Sequence, residues 1–509
     1  MAARLKRLAW VIAAGAAGSV LAPTLRHVEG VSQAETRPSY GGRVEGSLLG
    51  APGTFDPAFA QTHAERTVAA LVFDGLYRLG AAGAVRPALA LEAPWLDAAG
   101  TTARIALRPG VVFHDGTLLT PADVVASLER ARSGPSGWLL APIAKLRVDG
   151  NAIEVVLRAP TPLLATLLAM PQLGVTKAGR APTGKPIGTG AFAVDALDVA
   201  GAKLTLRAHE AYFAGRPYLD ELVLRWYDTP DGEARQFETG AAQLSARGVA
   251  AFSGAQPKYR SRDVEGPGAL LVYVGFGRAH ADVLREVAFR RALDLALPRG
   301  ALATVTSGER VVPSRGALPV EAGGSALTAV ATAGDLSGAQ AALGEAAIRV
   351  PALGAAALPK LSLAIMVDAT RPDDREIAER VARALDKLGI GSTVTAVSAT
   401  QFRERIAAGT TDLYIGQLAA PATAAWAWWG EAFAAGDSSW AAQQLAHGVI
   451  DGALAAREFS ARLPILPLLF RGVRLWHRTD VHGLAFDASG VPSYGDVFLF
   501  GAPAKSAPP

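Results

Sequence analysis

An α/β fold divided into two lobes is what this sequence predicts, on three observations. Between residues 361 and 417 strand-like and helix-like segments alternate as β-α-β-α-β, which implies a sheet with helical crossovers. Residues 269–276 form a nearly continuous apolar run, as a strand buried on both faces requires. The length of 509 residues asks for about two to four domain-sized units, or two lobes each with its own core.

Taken in order, the chain opens with Arg4, Lys6 and Arg7 ahead of an uncharged stretch from Leu8 to Ala22. A positive segment before a short apolar one reads as a secretory signal, too short for a comfortable membrane span. Cleavage after Ala22 is opposed by Pro23, and Ser32-Gln33-Ala34 is a better site that lies far from the apolar stretch. Residues 1–34 are therefore read as a signal peptide or an uncleaved N-terminal anchor. No other segment is long and apolar enough to span a bilayer. A polar linker, Glu35 to Gly42, follows.

Arg43 to Leu49 reads as a strand and Ala64 to Leu76 as a helix with apolar residues at helical spacing. Pro121 to Ala131 is a helix, with Thr120 as its N-cap and proline in the first turn. Leu204 to Ala208 and Glu221 to Trp226 alternate like strands, and Ala288 to Leu297 is a helix. Ala317 to Pro359 is a connection rich in Ala, Gly, Leu and Pro around one short helix. The α/β run then comprises strands Leu361–Val367, Ser392–Val397 and Asp412–Gln417, with helices Asp373–Leu388 and Ala399–Ala408 between them.

Composition narrows the function. Half the residues are apolar and 19% are charged, which excludes a disordered chain. Fifty basic side chains against 46 acidic ones give a net charge of +4, with no basic cluster of the kind nucleic-acid binding needs. There is no cysteine, so disulfides, zinc–thiolate sites, iron–sulfur clusters, thiol nucleophiles and a lipid-modified cysteine are all excluded.

Three motif fragments fail on context. Gly179 to Lys185 matches a Walker A loop until Pro186, which replaces the magnesium-binding hydroxyl and opposes the helix that would cradle phosphate. Gly188-Thr-Gly190-Ala-Phe-Ala193 fits a dinucleotide fingerprint, but Pro186 precedes it and an extended segment follows. His209-Glu210 begins HExxH, yet Phe213 stands where the second histidine belongs. No G-x-S-x-G elbow and no histidine pair at metal-ligand spacing occurs. No catalytic residue, metal ligand or cofactor is assigned.

Seven collinear stretches resemble one family, the extracellular solute-binding proteins of peptide- and nickel-type ABC transporters. They are Gly53-Thr-Phe-Asp-Pro57, Leu71-Val-Phe-Asp-Gly-Leu-Tyr77, Val112-Phe-His-Asp-Gly-Thr-Leu-Leu-Thr-Pro-Ala-Asp-Val124, and Pro186-Ile-Gly-Thr-Gly-Ala-Phe192. Further along come Ala211-Tyr-Phe-Ala-Gly-Arg-Pro-Tyr-Leu-Asp-Glu221, Phe289 to Ala296, and Leu388-Gly-Ile390 with Phe402, Gly409 and Asp412-Leu413. The resemblance implies a two-lobed periplasmic-binding-protein fold of class II type, with the ligand cleft between the lobes. Lobe I would comprise residues 41–265 plus 466–501, including an extra subdomain at about 80–180, and lobe II residues 266–465. Crossings are expected near Gly266–Phe276 and Pro464–Leu469. Such a protein captures a peptide or peptide-like solute by lobe closure and delivers it to an inner-membrane permease, as a monomer in the periplasm or cell envelope.

Departures from the family pattern bear on the ligand. Phe276 is followed by Gly277 rather than Asn, and Gly240-Ala-Ala-Gln243 lacks the family's acid. After Asp412-Leu413, where peptide binders tend to carry a Trp and an Asp for the peptide's α-amino group, no acid appears before Glu431. A buried ammonium needs such a partner, so the departures imply a less polar or uncharged ligand, or a binding role partly lost. The resemblance places Gln61, His63, Trp138, Gln417, Trp426, Trp428 and Trp429 as candidate ligand contacts. Aromatic walls with few polar anchors suit such a cleft, and lobe core is the alternative for each tryptophan. A sensor or scaffold using the same closing fold, without transport, is the alternative function.

Overall fold

Seven apolar residues in succession make Leu270–Phe276 an interior strand of a six-stranded sheet in the computed structural model. The structure describes residues 38–500 except 82, 183, 228, 247–256, 269, 305–310, 326, 328–332 and 437. The expected export segment, residues 1–34, lies outside the described residues.

In that sheet Leu270–Phe276 lies antiparallel between Leu466–Arg471 and Leu413–Ala419, and Ser362–Asp368 and Gly391–Val397 continue it in parallel. Alternate side chains of the strand enter different cores. Val272 and Val274 pack on one face with helices Val287–Ala296, Leu336–Arg349 and Pro372–Asp386. Leu271 and Tyr273 face the other cluster, with helix Ala425–Gly436. The β-α-β-α-β run is present as read. The expected short helix in residues 317–359 is a 14-residue one, Leu336–Arg349, capped by the Asp335 carboxylate. Ala339, Ala342, Leu343 and Ala346 give it a buried stripe of small residues that seats it closely.

The first lobe is built on a four-stranded sheet in the order Arg43–Ser47, Glu221–Arg225, Lys203–Ala208, Phe192–Asp198, with helix His63–Val72 against it. That helix stops at Val72, earlier than its apolar spacing suggests, because Phe73 is extended. The Gly188-Thr-Gly190 turn then lies directly on the helix end. A Cβ at Gly188 would sit 1.9 Å from the Val72 carbonyl oxygen, so only glycine fits. Close backbone passage explains both failed phosphate motifs. A second four-stranded sheet, Trp95–Leu96, Thr102–Ala106, Ala152–Leu157 and Ile143–Asp149, packs with helix Pro121–Ala131. Thr120 and Asp123 form a reciprocal capping box at the start of that helix.

The lobes are joined by two antiparallel strands. Ser261–Glu265 pairs with Arg474–Arg478 in the first lobe, and Leu270–Phe276 pairs with Leu466–Arg471 in the second. Between the two pairings the Gly266 N–H donates to the Val473 carbonyl at 2.6 Å. The return crossing is thus at residues 472–473, not Pro464–Leu469, and residues 466–471 belong to the second lobe's sheet. Those six residues are all buried and apolar apart from Arg471, which is why they seat in a sheet interior.

Candidate functional site

Helix His63–Val72 is buried on nearly every face, so its charged residues must find partners inside the protein. Arg66, 1% exposed, reaches across to the second lobe, where its guanidinium donates to the Ala419 carbonyl and to Glu431 Oε1 at 3.0 Å. Gln172 donates to the same carboxylate oxygen at 3.2 Å. Burial raises the Glu431 pKa and the Arg66 charge opposes that rise. Glu431 is the only charged residue of helix Ala425–Gly436.

A second polar group lies further along the same seam. Arg371, at the start of helix Pro372–Asp386, is flanked by Asp368 at 3.2 Å and Asp374 at 3.1 Å, and its guanidinium lies 5.0 Å from the Phe402 ring centroid. Asp374 is completely buried, which pushes its pKa up to about 6, and it accepts from Gln417 Nε2 at 3.1 and 3.3 Å. From the first lobe, the Ala51 N–H donates to Thr370 Oγ1 at 2.9 Å, and the Gly53 carbonyl accepts from Arg403. Gly50, at φ +99°, lets the first-lobe backbone approach, since a Cβ there would lie 3.0 Å from Arg371 Cγ.

Of the expected contact residues, Trp138 meets Trp426 across the lobes and Gln417 faces Leu49 and Gly50, while the others have partners within their own lobe. Gln61 stands in the turn before helix His63–Val72, its N–H donating to Glu65 at 2.9 Å. His63 is buried with Nε2 2.8 Å from the Gly490 carbonyl; burial lowers its pKa to about 4, so the ring is neutral and Nε2 carries the proton. Its Nδ1 is buried without a hydrogen-bond partner. Trp138 is wedged against Gly430, with the Trp426 ring 6.2 Å away. Trp429 packs 5.6 Å from Phe459, and the indole N–H groups of Trp138 and Trp429 find no hydrogen-bond acceptor. Trp428 is fully buried, donating to the Pro421 carbonyl at 3.1 Å and crossing Phe470 edge-on. Sequence reasoning passed over Arg66, Arg371, Asp374 and Gln172. The lone acid in an otherwise uncharged aromatic helix, Glu431, was the available signal, since a buried carboxylate implies a cation opposite.

A groove of about 620 Å³ lies elsewhere, on the first lobe beside His114, His209 and Arg207. Both histidines approach the Gly190 carbonyl, at 2.9 and 3.1 Å, and burial lowers both pKa values. His209 thus anchors the glycine turn. Among the described residues no group of three or more His, Cys, Asp or Glu side chains could hold a metal ion, and no helix is long and apolar enough to cross a membrane.

The sequence model of the bacterial extracellular solute-binding proteins, family 5, matches residues 84–439. The uncharacterized protein YhjP of Bacillus subtilis is 28% identical over 223 residues, which is 43% of this chain and 36% of that protein. The glutathione-binding protein GsiB of Escherichia coli K12 is 26% identical over 281 residues, 52% of this chain and 54% of that protein. The matches thus span between about a third and about half of those relatives. In fold, the periplasmic binding protein DppA of Helicobacter pylori, solved in complex with the peptide STSA, superposes with a TM-score of 0.75 at 18% identity, over 92% of this chain and 100% of that one. A profile match across 356 residues, on two lobes joined by two crossing strands, settles the lineage: the chain belongs to the bacterial extracellular solute-binding proteins, family 5.

Proposed function

We propose that this protein is the substrate-binding component of an ABC transporter, capturing a peptide or peptide-like solute in the seam between its lobes and handing it to a membrane permease. One observation carries the reading: the indole N–H groups of Trp138 and Trp429 and His63 Nδ1 are buried without hydrogen-bond partners. Such groups are costly to desolvate unless a partner completes them when the lobes shut. The glutathione-binding and peptide-bound relatives support a peptide-like solute. Gln61, His63, Gln417, Trp138, Trp426 and Trp429 are the proposed contacts, with Trp428 as the packed floor beneath them. The protein binds without turnover, as an exported monomer in the periplasm, with its N-terminal segment either removed or serving as an anchor.

A specific observation favours a second reading. Arg66 and Glu431 complete each other, so the lobes can shut on their own side chains, as a ligand sensor or scaffold would use them. A thermal-shift screen against di- to pentapeptides, amino-blocked peptides, sugars and nickel chelates distinguishes the two. A ligand of the native state raises the melting temperature. A shift with peptides is the expected result; no shift from any class overturns transport and leaves the scaffold reading.

A further inference from the structure

At the turn Asp487–Val491 of the first lobe three other elements converge. The Ala488 N–H donates to the Gly80 carbonyl at 3.2 Å, in the hairpin of strands Tyr77–Leu79 and Val85–Pro87. The Ala488 carbonyl accepts from the Ala422 N–H at 2.8 Å, between strand Leu413–Ala419 and helix Ala425–Gly436 of the second lobe. The Gly490 carbonyl meets His63 Nε2 of helix His63–Val72. The bond from Ala422 therefore joins the two lobes through backbone atoms alone.

The turn is braced before the second lobe reaches it. Asp487 Oδ1 accepts from the Ser489 and Val491 N–H groups at 2.8 and 2.9 Å. The Asp487 and Gly490 N–H groups donate to the Val491 and Asp487 carbonyls at 2.9 and 3.1 Å. Ala488, Ser489 and Val491 are at most 4% exposed, so in the shut protein the Ala488 carbonyl depends on Ala422 for its donor. The hairpin tip lies on the same junction: a Cβ at Gly83 would stand 3.8 Å from Thr423 Oγ1 and 3.9 Å from Ala488 Cβ.

A stiff turn bonded to the second lobe on one side and to a hairpin on the other transmits position between them. We infer that the Asp487–Val491 turn is a closure latch: the second lobe engages it through Ala422, and it carries lobe closure to the hairpin Tyr77–Pro87. Arg78 and Arg86 stand opposite each other at exposed positions of that hairpin, so closure fixes a paired positive charge at the surface. The latch serves transport and sensing alike, because it reads the position of the lobes and not the ligand.

Ala422→Pro removes the donor and keeps the local backbone. Ala422 is the second residue of a turn closed by the Ala424 N–H on the Pro421 carbonyl at 2.9 Å, a position where proline is favoured. In hydrogen exchange read by mass spectrometry, the amides of the hairpin should open about tenfold faster than in wild type, while those of strand Lys203–Ala208 stay unchanged. Small-angle scattering should show the variant expanded. Lobes that part without faster hairpin exchange overturn the transmission, and a variant as compact and as protected as wild type overturns the latch. Equal acceleration in both segments is general loosening and overturns it too. A second pair of variants reads the brace. Asp487→Ala should repeat the hairpin effect, whereas Asp487→Asn, which keeps the accepting oxygen, should stay within about twofold of wild type. Should Ala422→Pro not fold, this pair decides, and equal hairpin exchange in the two variants overturns the proposal.

Discussion

Replacing Arg66 by methionine isolates one buried ion pair between the lobes. The Arg66 and Glu431 side chains are 1% and 7% exposed, so the variant strands a carboxylate in a nearly dry site with Gln172 as its remaining donor. Breaking one partner of such a pair costs about 3–5 kcal/mol. Glu431 can relieve that cost by taking up a proton, and this fixes the sign of the pH dependence. Its pKa is already raised by burial, and Arg66 is the group holding it down. A carboxyl whose folded pKa exceeds its unfolded value binds more protons when folded, so its contribution is present at acid pH and lost as pH rises through the folded pKa. Arg66→Met should therefore lose stability between about pH 4.5 and the raised folded pKa, by up to about 1.4 kcal/mol per pH unit, and level off above it. Urea unfolding from about pH 5 to about pH 8 reads both numbers. The double variant Arg66→Met, Glu431→Leu should return to within about 1 kcal/mol of wild type. A single variant that costs under about 1 kcal/mol with a flat pH profile, or a double variant weaker than the single, would refute the reasoning.

Other perturbations follow from the same geometry. Gly430→Ala would put a methyl group 2.0 Å from the Trp138 ring. It should cost about 1–3 kcal/mol and expand the protein in small-angle scattering; unchanged scattering and stability would mean that this contact is soft. Gly188→Ala, with its Cβ 1.9 Å from a carbonyl oxygen, should leave the first lobe unable to fold, read as loss of soluble protein. Asp74 accepts from Thr189 and Tyr212, and burial pushes its pKa up to about 6, as it does for Asp374 and Asp487. As pH rises from about 4 to about 6 these three acids should lower stability while the buried neutral His63 and His114, with pKa values lowered to about 4, raise it, so the test is a difference: Asp74→Asn should gain stability relative to wild type across that window, and an unchanged difference would discount Asp74.

What could be read from sequence was what local chemistry encodes. The helix from Pro121 to Ala131 declares itself through Thr120, Pro121 and Asp123, and its bounds match. The strand after Gly268 declares itself through an unbroken apolar run. The sheet of residues 95–157 escaped notice because its edge strand Ile143–Asp149 is mostly exposed and carries no clean alternation. Helix Ala425–Gly436 escaped because uniform apolarity shows no period. The seam was legible only in part. Gln417 followed from its place in a recognisable stretch, but Arg66, Arg371 and Asp374 look like the polar residues of any amphipathic helix. Only the meeting of two lobes, distant in sequence, shows that those residues face inward.

The double crossing also sets an order of assembly. Strands Leu244–Ser245 and Ser261–Glu265 both pair with Arg474–Arg478 and with no other strand among the described residues. From Glu265 to Arg474 is 209 positions, so two strands of the first lobe wait for a partner that emerges after the whole second lobe. At about 5–20 residues per second that delay is roughly 10–40 s of synthesis. The second lobe is contiguous and can complete its sheet as soon as residue 471 appears. The first begins earlier and finishes last, and through that interval it presents open strand edges of the kind that invite pairing with other chains. Holding this chain unfolded until its last hundred residues are made would protect the lobe that starts first.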